Sequence, residues 1–189
     1  MEAHLLEAGD VATLREQAER AAAGGAAAVF VTEGPLGDPF VLAAGLAAGL
    51  PAGAGGPEVR IGVRLTFSGD SRHPAMLARD ATSLDLVCGG RSIVCFAPPF
   101  EESLGEVIPL CRALWREGEV VSEGADVRFP VHAARNRARP AGGGADSPWL
   151  ALDLSGGDEV PASLRAWVAA VDVVLRPAAD PAVCVMERT

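Results

Sequence analysis

Arg72-His-Pro-Ala-Met-Leu-Ala-Arg-Asp-Ala-Thr-Ser-Leu-Asp-Leu-Val-Cys-Gly-Gly-Arg91 is the stretch on which the reading of this chain turns. Pro74 suits the first position of a helix, where the missing N–H is not needed. Leu77, Ala81, Leu84 and Cys88 then recur at helical spacing and define one apolar face. Gly89-Gly90 stops the helix. Ser92–Phe96 follows as a short buried strand, broken by Pro98-Pro99. Upstream, Val59–Phe67 alternates strictly: Val59, Ile61, Val63, Leu65 and Phe67 share one face, and Arg60, Gly62, Arg64 and Thr66 the other. The core of the chain is therefore strand, helix, strand.

The same rhythm extends in both directions. Asp10 caps a helix from Val11 to about Ala23, with Thr13 and Glu16 as a second capping register, and Gly24-Gly25 ends it. Ala27–Thr32 reads as a strand, and Asp38-Pro39 starts an Ala/Gly-rich helix reaching about Leu50. Downstream, Leu104, Val107, Ile108, Cys111, Leu114 and Trp115 mark the strongest amphipathic helix, with Pro109 predicting a kink or a 3₁₀ start. A hairpin insert is expected over about 119–131, and a mobile, Arg- and Gly-rich loop over about 132–147. Trp149–Leu154 and Val171–Leu175 are strands flanking a helix at Pro161–Val168, with a further strand at Ala182–Met186 and a first one at His4–Leu6. Alternating strands and helices imply a single α/β domain over 1–189 with a parallel sheet, doubly wound or rolled into a barrel. No GxGxxG follows a strand, which counts against a dinucleotide-binding sheet.

Composition narrows the chemistry. The 189 residues include 35 Ala and 22 Gly but no Lys, no Tyr and a single Asn. Schiff-base lysine chemistry, a phosphate-loop lysine and a phenolic acid are excluded. With a net charge of −9 and its 16 cations, all Arg, scattered along the chain, nucleic acid is not an expected partner. Cys88, Cys95, Cys111 and Cys184 show no metal-ligand spacing and lie in apolar runs, so no metal site is expected. The first residues lack the basic flank and apolar run of a signal peptide, and the Val41–Leu50 run is too short to span a bilayer. A soluble cytoplasmic protein without membrane contact is the expectation.

The Arg72–Arg91 stretch resembles the bacterial-luciferase-like flavin oxidoreductases, where an RHP turn opens a helix that ends in a Gly-Gly-Arg turn before the next strand. The order of elements around it is similar as well. The resemblance implies an α/β fold, a parallel (β/α) barrel of the luciferase-like type. It would be truncated or incomplete, because such barrels typically need about 250 residues. It implies FMN or the deazaflavin F420 as cofactor, held at the C-terminal ends of the strands, and a small-molecule substrate. On that resemblance Glu33 is the candidate catalytic carboxylate, standing where the family often carries Glu-His but here followed by Gly34. Thr66, Phe67 and Ser68 occupy the place where the ring rests, and Phe96 lines the end of the next strand, followed by two prolines. Ser155, Gly156 and Gly157 match the turn that holds the flavin phosphate on a helix N-terminus, although Asp158-Glu159 follow. His73 belongs to the RHP turn and serves to fix it.

One expectation rests on the residues alone. If the apolar face of Val59–Phe67 meets helices, Arg60 and Arg64 point into the barrel, and so do Asp153 and Ser155 from the Trp149–Ser155 run. Buried charges must pair, so an interior ion pair between Asp153 and Arg64 or Arg60 is expected, in place of the usual filled apolar barrel core. A barrel lacking strands would also expose edges that need cover. The resemblance implies a homodimer, because dimers of that family bury helices of the first half, and the small-residue helix at 38–50 with the helix at 75–88 offers such a surface. Two functions stand at this point: a flavin- or F420-dependent oxidoreductase or monooxygenase, and a catalytically inactive homologue that binds flavin without turnover or partners a full-length enzyme.

Overall fold

The structure is a computed structural model that describes residues 1–7, 9–50, 58–66, 72–100, 103–121, 134–136, 138, 140–141, 148–156, 168 and 171–189. Its elements follow the expected alternation: β1 (Glu2–Leu6), α1 (Val11–Ala23), β2 (Ala28–Thr32), α2 (Pro39–Gly49), β3 (Arg60–Thr66), α3 (Pro74–Val87), β4 (Ser92–Ala97) and α4 (Leu104–Arg116). Next come a two-stranded ribbon of β5 (Glu119–Val120) and β6 (Ala134–Arg135), then β7 (Trp149–Asp153), β8 (Val173–Pro177) and β9 (Val183–Arg188). The expected helix at Pro161–Val168 lies, except for Val168, outside the described residues.

Caps explain where the helices begin. Asp10 accepts from the Thr13 N–H, Asp38 from those of Phe40 and Val41 with Pro39 at the first position, and His73 Nδ1 from that of Ala75. His73 thus fixes the RHP turn by capping α3. Gly89 and Gly90 end α3 with φ of 66° and 87°, a region that residues with a Cβ rarely enter. α4 runs α-helically through Pro109.

The sheet is a closed barrel in the order β1-β2-β3-β4-β7-β8-β9. The barrel strands β1, β2, β3, β4, β7 and β8 pair in parallel in that order, and β9 closes the circle antiparallel to both β8 and β1. Closure corrects the expectation of open edges. The segment joining β8 to β9 is too short for a crossover, so β9 folds straight back, pairs with β8 and reaches β1 on its other side.

Alternation assigns two cores. The outward faces of the strands, among them Val63, Leu65, Val94 and Phe96, pack under Leu77, Leu84, Ile108 and Trp115 of the helices. The inward faces bring Ala28, Phe30, Ile93, Cys95, Ala151, Val173, Leu175, Cys184 and Met186 together inside the barrel. The middle of the barrel is filled and apolar, which corrects half of the earlier expectation. Phe30 fills it by lying on Gly62, where a Cβ would come within 2.3 Å of the ring. The charged residues are confined to the two ends. At the N-terminal end, the Arg60 guanidinium stacks 3.3 Å from the centroid of Trp149 and that of Arg188 lies 4.7 Å from it.

Of the stretch expected as a mobile loop, the described part is tied down on α3. The Asn136 amide donates to Thr82 Oγ1 at 2.8 Å, and the Ala141 N–H to Asp85 Oδ2 at 2.8 Å. Among the described residues, no helix is long and apolar enough to cross a membrane.

Candidate functional site

The C-terminal end of the parallel strands is the chemically distinctive end of this barrel, as it is in (β/α) barrels generally. There the inward alternation of β2, β3 and β7 ends on Thr32, Arg64 with Thr66, and Asp153. Arg64 Nε donates to Asp153 Oδ2 at 2.6 Å, with side chains 22% and 1% exposed. The interior ion pair expected from the alternation of β3 and β7 is present, with Arg64 as the partner. Asp153 Oδ1 accepts the Ser155 N–H at 2.8 Å, so both carboxylate oxygens are occupied. Among the described residues, Asp153 is the one partner of the Arg64 guanidinium, and its Nη groups remain available at the mouth.

Two thiols sit below this pair. Burial pushes the Cys95 thiol well above its ordinary range, the Asp153 carboxylate adds to the effect, and Arg64 opposes it. Burial also raises Cys184, against a hydrogen bond from the Ser155 side chain. Both are protonated, inert walls of the mouth and not nucleophiles.

Thr32 joins the mouth without being among the residues expected there. Its Oγ1 is buried and has no hydrogen-bond partner among the described residues, while Thr32 and Arg64 are direct Cα partners in the β2–β3 register. The signal was available in the alternation Ala28, Phe30, Thr32, which places a hydroxyl on the inward face at the strand end. A buried hydroxyl without a partner calls for an explanation, and a ligand at the mouth supplies one.

The structure brings some of the proposed site residues together and separates others. Glu33 and Thr66 meet at the rim: Glu33 Oε2 accepts the Thr66 N–H at 3.3 Å, and the Glu33 N–H donates to the Arg64 carbonyl at 3.1 Å. Ser155 lies at the rim of β7 with Gly156 exposed beside it. Phe67, Ser68 and Gly157 fall outside the described residues. Phe96 does not line the mouth: it is fully buried in the layer between barrel and helices. The reason is parity, since Cys95 and Ala97 hold the inward positions of β4. The Ser155 N–H, expected to serve a phosphate, is already given to Asp153.

Among the described residues, no group of three His, Cys, Asp or Glu could hold a metal ion. A cavity of about 270 Å³ opens beside the mouth, between the ends of β1 and β2 and the helices α1 and α2, with Leu6, Leu14 and Val31 as floor and Glu7 and Glu33 at its edge. A larger groove of about 760 Å³ runs along the outer wall of β1 from Glu2 to Glu7, beside α1 and the residues Pro181 and Ala182.

A flavin or deazaflavin ring would meet matching groups at this mouth. Arg64 Nη and the unpartnered Thr32 hydroxyl suit the carbonyl-bearing edge of such a ring, and the rim of Thr66 and Glu33 suits its border. The residues therefore fit the ring. The phosphate end is less well served, because Asp153 occupies the Ser155 amide.

Comparison with known proteins gives the class of fold. No family model matches the sequence, and no curated protein matches it. Solved structures do. An F420-dependent tetrahydromethanopterin reductase from Methanopyrus kandleri superposes with a TM-score of 0.65 at 16% identity, over 82% of this chain and 49% of that one. A monooxygenase from Streptomyces bottropensis gives 0.55 at 22% identity, over 77% and 49%. The oxygenating constituent of 3,6-diketocamphane monooxygenase from Pseudomonas putida, a type II Baeyer-Villiger monooxygenase solved with FMN, gives 0.58 at 14% identity, over 78% and 48%. The fold is a luciferase-like barrel, and the resemblance seen in Arg72–Arg91 holds at that level. The chain spans about half the length of these structures.

Proposed function

We propose that this chain binds FMN or F420 at the C-terminal mouth of its barrel and acts as a flavin- or F420-dependent oxidoreductase or monooxygenase on a small organic substrate. The observation that carries the reading is the pairing, on adjacent strands of a luciferase-like barrel, of an available Arg64 guanidinium edge with a buried Thr32 hydroxyl that has no partner among the described residues. When bound, the cofactor would supply the hydride or oxygen chemistry, which is why the absence of Lys and Tyr is no obstacle. The chain's own residues bind and orient. Asp153 fixes the Arg64 guanidinium, Thr32 and Arg64 meet the ring edge, and the apolar barrel interior beneath them excludes water. Glu33, steadied through Oε2 by the Thr66 N–H, is the carboxylate placed to take a proton at the rim.

A second reading, flavin binding without turnover or service as the partner of a full-length enzyme, is favoured by one observation. Gly34 follows Glu33 where the resemblance implies the pocket His, so the rim lacks that imidazole. Equilibrium titration with FMN and with F420, followed by a turnover assay of the loaded protein, separates the readings. Saturable binding with turnover supports the first, saturable binding without turnover the second, and no binding of either cofactor rejects both.

Pairing of two copies is part of the proposal. α2 carries no polar side chain, and a helix apolar on every side belongs against another surface. Val41 (71% exposed) on α2 and Val87 (55% exposed) on α3 are left in solvent in the single chain.

A further inference from the structure

We infer that the Thr32–Arg64 pair reads the imide edge of a flavin-type ring, its adjacent carbonyl and ring-nitrogen atoms, and does not read a phosphate. This rests on the reading that a cofactor occupies the mouth. Three observations carry it. Thr32 and Arg64 are register partners on adjacent parallel strands, so their side chains stand next to each other on the inward face. Among the described residues, Thr32 Oγ1 is buried without a partner, and Arg64 has committed only Nε. The free Arg64 Nη groups can donate to an imide carbonyl oxygen, and the Thr32 hydroxyl, which both donates and accepts, can take the adjoining ring N–H. The third observation is charge. Asp153, 1% exposed and 2.6 Å from Arg64 Nε, already neutralises the guanidinium. A phosphate dianion brought to Arg64 would also meet the Asp153 carboxylate and, at the rim, Glu33. A neutral or singly charged carbonyl edge gains the hydrogen bonds without that repulsion.

The test is a titration of the full chain with FMN, with riboflavin, which has the ring without the phosphate, and with inorganic phosphate as competitor, followed by flavin absorbance and fluorescence. FMN and riboflavin are expected to bind with affinities within about threefold of each other, unaffected by millimolar phosphate. The variant Thr32→Val, which keeps shape and removes the hydroxyl, should weaken both by about five- to tenfold, the effect of one hydrogen bond. Arg64→Met combined with Asp153→Leu removes the ion pair without stranding a buried charge, and should weaken both by more than about tenfold with its melting temperature retained. Preferential binding of FMN that phosphate competes away would overturn the inference, and so would unchanged affinities in both variants. Binding of neither flavin by the unaltered chain, with F420 also unbound, would overturn the cofactor reading together with it; flavin binding indifferent to the variants would overturn this inference alone.

Discussion

Arg64 and Asp153 lie two strands apart in the barrel, on β3 and β7 with β4 between them, and their 2.6 Å contact crosses the inside of the mouth. Removing one partner leaves the other buried and uncompensated. Arg64→Met alone should therefore lower stability by about 3–5 kcal/mol, whereas Arg64→Met with Asp153→Leu should recover most of the loss. Urea unfolding of the two variants checks this; equal losses would show that the pair is not coupled.

The alternation of β3 and β7 made this contact readable before any coordinates, because period two fixes which side chains share a face. The capped starts of α1, α2 and α3 were readable for the same kind of local reason. Three things were not. Phe96 belongs to the mouth only by analogy of position, and one step of parity turns it toward the helices. The apolar filling of the barrel depends on Phe30 meeting Gly62 from the neighbouring strand, a relation between residues far apart in sequence. Closure by β9 depends on direction: the strand itself was readable at Ala182–Met186, but its antiparallel course follows from the shortness of its connection to β8.

Gly62 is where the filled interior is most exposed to test. A Cβ there would stand 2.3 Å from Phe30 Cδ1 and 3.2 Å from the Ile93 carbonyl oxygen, so the ring must move and the backbone gives little room. Gly62→Ala should destabilise by about 1–3 kcal/mol, and Phe30→Leu in the same chain should relieve part of that loss. Thermal unfolding of the single and double variants measures it, and a Gly62→Ala protein as stable as the parent would refute the packing.

Asp38 gives a pH dependence with a definite sign. Burial pushes its carboxyl up, but the hydrogen bond and charge of Arg72, 2.6 Å away, and the N–H groups of Phe40 and Val41 outweigh this and hold it below its ordinary 3.8. A group depressed in the folded state contributes its stability fully above 3.8 and loses it as pH falls through the lower folded value. Asp38→Asn should thus melt earlier than the parent at neutral pH, and the difference should shrink in that acid window. Melting curves between neutral pH and pH about 2.5 test this; a gap that widens on acidification contradicts the sign.

The proposed pairing runs through the exposed stripe of α2, where nothing approaches within 4 Å of a Cβ built on Gly45 and Val41 stands clear of its own chain. Val41→Glu places a charge in that contact. Light scattering should find the parent chain dimeric and the variant monomeric with an unchanged circular dichroism spectrum. A monomeric parent would remove the dimer from the account.

The central claim is that the barrel mouth is the ligand site. Hydrogen exchange read by mass spectrometry, on the chain alone and with saturating FMN or F420, tests it most directly. The account predicts slowed exchange at the strand ends that carry Thr32 and Glu33, Arg64 to Thr66, and Asp153 to Gly156, with the N-terminal end around Arg60 and Trp149 unchanged. Protection confined to the groove on the outer wall of β1, or no protection anywhere, would contradict it.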